Sequence, residues 1–214
     1  MRAYKFRSSS QIAYAFDIII NQQLHCSDWK DLNDPMEGMY AYSNGLKSDR
    51  NIIEERLKGI RNAKREYKIC SLSYTFDSHL LWAHYAGGFD GVAIEVELPD
   101  NNPNIKEVEP RGVFAYIDME NFNSEEEAAR TILFSKYHEW EYEQEVRILN
   151  TSEWYELDSP VKRVIAGSRM NEALFDVLNI TCTKLDITLN KVGIGDEGID
   201  ADYVKPFEEF SKQQ

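Results

Sequence analysis

The stretch that decides the fold runs from Ser78 to Leu98, SHLLWAHYAGGFDGVAIEVEL. Its first part, Ser78 to Ala86, carries Leu80, Leu81, Trp82 and Tyr85 and reads as an almost wholly apolar, buried helix. Gly87-Gly88 stops it, because glycine enters left-handed backbone without a Cβ penalty. From Gly91 to Leu98 the period changes to two, with Val92, Ile94 and Val96 alternating against Ala93, Glu95 and Glu97 as on a strand.

The same two periods extend in both directions. Upstream, Ala3 to Arg7, Leu24 to Ser27 and Lys68 to Tyr74 read as strands. Ser8 and Gln11 form a capping box for a helix carrying Ile12, Phe16 and Ile19. From Arg50 to Glu66, Ile53, Leu57 and Ile60 share one helix face, and Glu54, Lys58, Arg61 and Arg65 line another. Downstream, Gly112 to Ile117, Glu143 to Leu149, Val161 to Ala166 and Lys191 to Ile194 read as strands around a polar loop at Asn101 to Asn104. Ser124 with Glu127 caps a helix built on Ala128, Ile132 and Leu133, and Asn171 to Ile180 forms another on Leu174, Val177 and Leu178. Strand-helix-strand units are few and no Gly-rich loop opens a helix, so the expected class is α+β: a mixed, mainly antiparallel split sheet flanked by helices.

The 214 residues are 43% apolar and 29% charged, the mix of an ordinary globular protein, and a single domain spanning 1–214 is expected, with an acidic, mobile tail at 196–214. A net charge of −13 opposes non-specific binding to nucleic acid or anionic lipid. Cys26, Cys70 and Cys182 have no metal or disulfide spacing and read as reduced core thiols. No apolar run is long enough to span a bilayer and the start has no signal stretch, so no membrane partner and a cytoplasmic location are expected. The oligomeric state is left open.

Five clusters can carry chemistry. In Trp140-Glu141-Tyr142-Glu143-Gln144-Glu145-Val146-Arg147, two carboxylates two apart on a strand share a face, close enough for repulsion to raise one pKa. That suits acid or base work, but a solvated ion-pair ladder of Glu143, Glu145 and Arg147 fits the same pattern. Trp82 and His84 offer a stacking surface and an imidazole, or a packed core. Asn33-Asp34-Pro35-Met36-Glu37 is a turn, since the residue before proline is kept out of the helical region, and such fixed loops bind ligands. Ser71 and Ser73 put two hydroxyls on one strand face and would position a ligand. Lys58, Arg61, Lys64, Arg65 and Lys68 form the one basic patch, which is either a phosphate guide or a solvated helix face.

Taken together, Tyr4-Lys5-Phe6-Arg7, Asn33 to Glu37, Leu81 to Tyr85 with Gly91 to Glu95, and Trp140 to Arg147 resemble the bacterial domain-of-unknown-function family 2971. The order of an aromatic-flanked Arg, a Ser-x-Ser and a late Glu-x-Glu is also similar to that of ADP-ribosyltransferases. That likeness implies an ADP-ribosyltransferase-like fold and NAD as cofactor. Arg7, Ser71 and Ser73 would hold the cofactor, with Asn33, Asp34, Trp82 and His84 further binding residues. Glu145, with Glu143 and Arg147, would be catalytic, stabilising the oxocarbenium-like ribose as nicotinamide leaves. Such an enzyme would be a toxin or an antiphage effector acting on a protein or nucleic-acid acceptor. The alternatives are a non-catalytic sensor in bacterial defence that binds a nucleotide-type small molecule or a protein through Asn33 to Glu37, Trp82 and Trp140, and a metal-dependent phosphodiesterase or nuclease using Asp34, Glu37 and Glu143.

Overall fold

The computed structural model describes residues 1–43, 49–111, 114–195 and 198–200. Five helices, α1 (Ile12–Asn21), α2 (Arg50–Arg65), α3 (His79–Tyr85), α4 (Glu125–Leu133) and α5 (Glu172–Lys184), are set among short strands in a mixed architecture whose main sheet is mostly antiparallel. Contacts divide the chain into two compact units. One comprises Met1–His25, Ser71–Asn101 and Tyr155–Gln214, and the other Cys26–Cys70 and Asn102–Trp154. Among the described residues no helix is long and apolar enough to cross a membrane.

In the first unit the opening strand Arg2–Arg7 pairs antiparallel with Val92–Glu97, and Val92–Glu97 pairs antiparallel with Arg163–Ala166. Arg163–Ala166 runs parallel to Thr188–Lys191, and α5 makes the crossover that a parallel pair requires. The pleat puts Phe6, Ala93 and Ile165 in one row, and Leu81, Trp82 and Ala86 of α3 cover it. Only Leu81 and Trp82 of α3 are buried. Leu80 and His84 face solvent, so the apolar helix expected to be buried there is buried on one side only. Gly87 and Gly88, at φ +60° and +70°, stop it as read.

Two local readings in this unit change. Ser8 makes no capping bond to the backbone. Its hydroxyl pairs with Ser10, and Asp90 instead takes the Ser9 N–H and hydroxyl, ahead of a short 3₁₀ turn that leads into α1. On α5 the buried stripe is Phe175, Leu178 and Cys182, with Val177 turned outward, because the helix packs on its Phe175 side. Beyond Lys191, Gly193–Gly195 pairs with Gly198–Asp200, so residues 198–200 of the expected tail form a strand. Residues 196–197 and 201–214 lie outside the described residues.

In the second unit α2 packs on α4 through Leu57, Ile60, Ala128 and Ile132, over Ala115 and Ile117 of a strand that runs parallel to Tyr40–Tyr42. The Ser124 hydroxyl accepts from the Glu127 N–H at 3.1 Å, the capping bond expected from the sequence. Gly112 and Val113, at the head of the expected strand, are outside the described residues, and Ala115–Ile117 is its remainder. Glu145–Asn150 pairs antiparallel with Ile105–Glu107, a strand unread in the sequence, and Ser135–Tyr137 lies parallel to Glu109–Arg111. The expected strand from Glu143 starts two residues later. Glu143 ends a 3₁₀ helix, His138–Glu143, and Gln144 turns left-handed at φ +44° before Glu145 opens the strand.

Candidate functional site

The densest chemistry in the second unit begins at the Asn33-Asp34-Pro35-Met36-Glu37-Gly38 turn. Asp34 closes it twice: its Oδ1 accepts from the Met36 N–H at 2.8 Å and its carbonyl from the Glu37 N–H at 3.0 Å. Asn33 stays exposed, whereas Asp34 and Glu37 are buried. Gly38 sits at φ +69°, and a Cβ there would meet the Trp29 ring at 2.8 Å, so the turn ends in a position that only glycine fills without strain.

Glu37 is held by Arg147, a guanidinium with no exposed surface. Arg147 Nη1 and Nη2 donate to the two Glu37 oxygens at 2.7 Å each. Nε and Nη2 donate side-on to Glu145 at 2.7 and 3.1 Å, and Nη1 also donates to the Leu133 carbonyl at 2.6 Å. All five guanidinium protons are thereby used. Leu133 is the last residue of α4, where unpaired carbonyls and the helix dipole favour a cation. One buried side chain thus ties together the turn, the helix end and the strand Glu145–Asn150.

The network continues through Lys136, whose ammonium donates to Glu145 at 2.8 Å and to Glu143. Burial works against this ammonium, but Glu145 and Glu143 outweigh it and its pKa is raised. Burial also opposes ionisation of Glu145, yet Arg147 and Lys136 prevail and hold it at about 2. For Glu37 burial prevails over Arg147, and its pKa is raised. Three carboxylates meet two cations in direct contact, which leaves one excess negative charge, and burial raises the pKa of Glu37. Lys64 partly offsets that charge. It is buried, donates to the Gly38 carbonyl at 2.6 Å, and lies 4.1 Å from the centroid of the Trp29 ring. Desolvation lowers its pKa to about 8.

These groups border a small depression, open to solvent, lined by the turn residues Asp34, Met36, Glu37 and Met39 and, across from them, by Phe114, Lys136 and Tyr137. The solvated ladder weighed for Glu143, Glu145 and Arg147 does not occur, because all three are buried. Nor do the two carboxylates project in step from one strand, since Gln144 turns the chain between them. Both accept from Lys136, and Glu145 is held low rather than raised. Lys64 likewise leaves the expected basic patch for the interior, and Lys68 pairs with Asp28 at 2.9 Å. Among the described residues no group of three or more His, Cys, Asp or Glu side chains is arranged to hold a metal.

The other sequence-named residues belong to the first unit. Tyr4 is the cross-strand partner of both Ser73 and Glu95, and Glu95 is the partner of Arg163, so these four share one sheet face. The Tyr4 hydroxyl donates to Glu95 at 2.9 Å. Ser73 is buried, with its hydroxyl accepting from the Thr75 N–H, and Ser71 points to the same side. Arg7, three residues from Tyr4, projects from the opposite face, where its guanidinium lies 5.6 Å from the Tyr14 ring centroid. A cofactor held by both Arg7 and Ser73 would have to reach around the strand. Trp82 is fully buried, stacked on Phe89 at 5.5 Å and met edge-on by Phe6, with its indole N–H donated to the Phe76 carbonyl. It packs the core and offers no stacking surface, whereas His84 is exposed.

Sequence reasoning missed Lys136 and misplaced Lys64. Neither has a spacing that announces it, because Lys136 meets its carboxylates, and Lys64 the Gly38 carbonyl, only through tertiary contact. Comparison of the chain with the known protein families, the curated proteins and the solved structures finds no match.

Proposed function

We propose that the second unit is a recognition module for a nucleotide-type small molecule, a sensor rather than a catalyst, whose binding element is the Asp34–Met39 turn facing the strand Ser135–Tyr137. The observation that carries this reading is the saturation of the ionic network: Glu145 accepts at both oxygens, from Arg147 and Lys136, so its chemistry is spent on holding the site rather than on a substrate. The turn is thereby fixed before any ligand arrives, which lowers the ordering penalty of binding. Met36 and Met39 are exposed beside Tyr137 and Phe114, and thioethers with aromatic rings suit the face of a nucleobase. The depression between them encloses only about 10 Å³, room for about one water, so a base would lie against the exposed methionines and rings rather than be enclosed.

The test is calorimetric titration of the full chain with AMP, ADP-ribose and NAD⁺, repeated on Met36→Ala and Tyr137→Ala. Binding that falls roughly tenfold in either variant, with unchanged thermal stability, supports the reading, since a truncated contact at a binding centre typically costs about 1–2 kcal/mol. Absence of binding by all three ligands at millimolar concentration overturns it.

A second reading, NAD⁺ cleavage of the ADP-ribosyltransferase kind, is favoured by one observation: Arg147 and Lys136 keep Glu145 ionised, as a carboxylate facing an oxocarbenium-like ribose must be. Incubation of the protein with NAD⁺ and assay of released nicotinamide decides it, and no release from the folded protein removes it.

A further inference from the structure

α5 is apolar on two opposite faces. At 100° per residue its buried stripe, Phe175, Leu178 and Cys182, centres on one side, and Ala173, Val177, Ile180 and Lys184 fall on the other within a narrow arc. Val177 is 49% exposed and Ile180 60%. A surface helix ordinarily turns a charged face to water, and a helix apolar on both sides is covered on both. The charges flanking this stripe are unevenly placed, with Glu172 and Asp176 in the first half and Lys184 at the end, all exposed.

That arrangement is self-complementary about a two-fold axis. If two α5 helices cross antiparallel with the axis between Val177 and Ile180, Val177 meets the partner's Ile180. Ala173 then meets the partner's Lys184, whose ammonium is within reach of Glu172 and Asp176 on one flank of the stripe. A parallel pairing would set Lys184 against the partner's Lys184 and Asp176 against the partner's Asp176. We propose that the outward face of α5 is the surface through which two copies of this chain associate, as an antiparallel isologous dimer. A contact made by one helix from each copy is smaller than the ~1,200–2,000 Å² of stable complexes, so the dimer is weak and forms only at micromolar concentration or above.

Sedimentation velocity on the full chain, from well below to well above that concentration, tests it. The wild type shifts from monomer to dimer across the range. Ile180→Glu, at a position already open to water, remains monomeric with an unchanged circular dichroism spectrum. Lys184→Glu weakens association about tenfold, and adding Asp176→Lys to it restores the wild-type value, which a loss of packing alone would not allow. A wild type that is monomeric throughout overturns the proposal, as does a dimer that persists in Ile180→Glu. So does a monomeric Ile180→Cys variant that reacts with maleimide only after denaturation, because another part of the same chain would then cover the face.

Discussion

Replacing Glu145 with Gln separates the electrostatic work of this carboxylate from its packing, because the two side chains have nearly the same shape. In the native state Arg147 and Lys136 overcome the burial of Glu145 and hold its pKa at about 2, below the ordinary 4.5. Between those values the unfolded chain binds the extra proton, so the contribution is complete above pH 4.5 and drains away as pH falls toward 2. At 1.36 kcal/mol per pH unit, the difference amounts to about 3 kcal/mol at neutral pH and about 1 kcal/mol near pH 2.5. Glu37 works in the opposite sense. Its pKa is raised, so it gains stability as pH falls toward the ordinary carboxylate range and does not mask the loss at Glu145 below it. In urea, with a slope of roughly 2.5 kcal/mol per molar for a chain of this size, Glu145→Gln should lower the unfolding midpoint by about 1 M at pH 7. The gap to the wild type should shrink to about a third near pH 2.5. A deficit that is the same at both pH values would show that the carboxylate acts through shape alone and would refute the network as an electrostatic device.

Lys64 gives the mirror case. Its pKa of about 8 lies below the ordinary 10.5, so between those values the unfolded chain again holds the extra proton and wild-type stability climbs with rising pH. In Lys64→Met that climb should vanish while stability at pH 7 stays within about 1 kcal/mol, since one lost hydrogen bond to Gly38 is set against one buried charge removed. A climb that persists in the variant places the titration elsewhere. At Gly38, alanine meets both a left-handed backbone and the Trp29 ring, and Gly38→Ala should cost about 2 kcal/mol and change the tryptophan fluorescence. A variant as stable as the wild type would mean that the turn has an alternative geometry.

Wherever period and punctuation act locally, the fold was legible. The strands at Ala3 to Arg7 and Gly91 to Leu98, the Gly87-Gly88 stop and the Ser124 cap each depend on neighbours a few residues away. Ile105–Glu107 was missed because three residues are too few to show alternation, and its pairing with Glu145–Asn150 spans some forty positions of chain. The outward turn of Val177 was missed for a different reason. α5 is apolar on both sides, so the sequence offers two stripes, and only packing selects the one built on Phe175.

The candidate site illustrates a limit that comes from electrostatics rather than from pattern. Alternating Glu143, Glu145 and Arg147 look the same in a sequence whether the ladder faces water or the interior, and exposure is the ordinary outcome because burying an ion is costly unless it is paired. What tips this cluster inward is Glu37, about a hundred residues away, together with Lys136 and the carbonyl at the end of α4. None of these alone could compensate Arg147. The guanidinium has five protons, and only the turn, the helix end and the strand together supply five acceptors. Burial is therefore conditional on the whole assembly, so removing Glu37 should expose or misfold the same groups as removing Arg147. The turn that carries Glu37 is then also the element whose position the network fixes, so the proposed binding at its exposed methionines would depend on a charge deep beneath it.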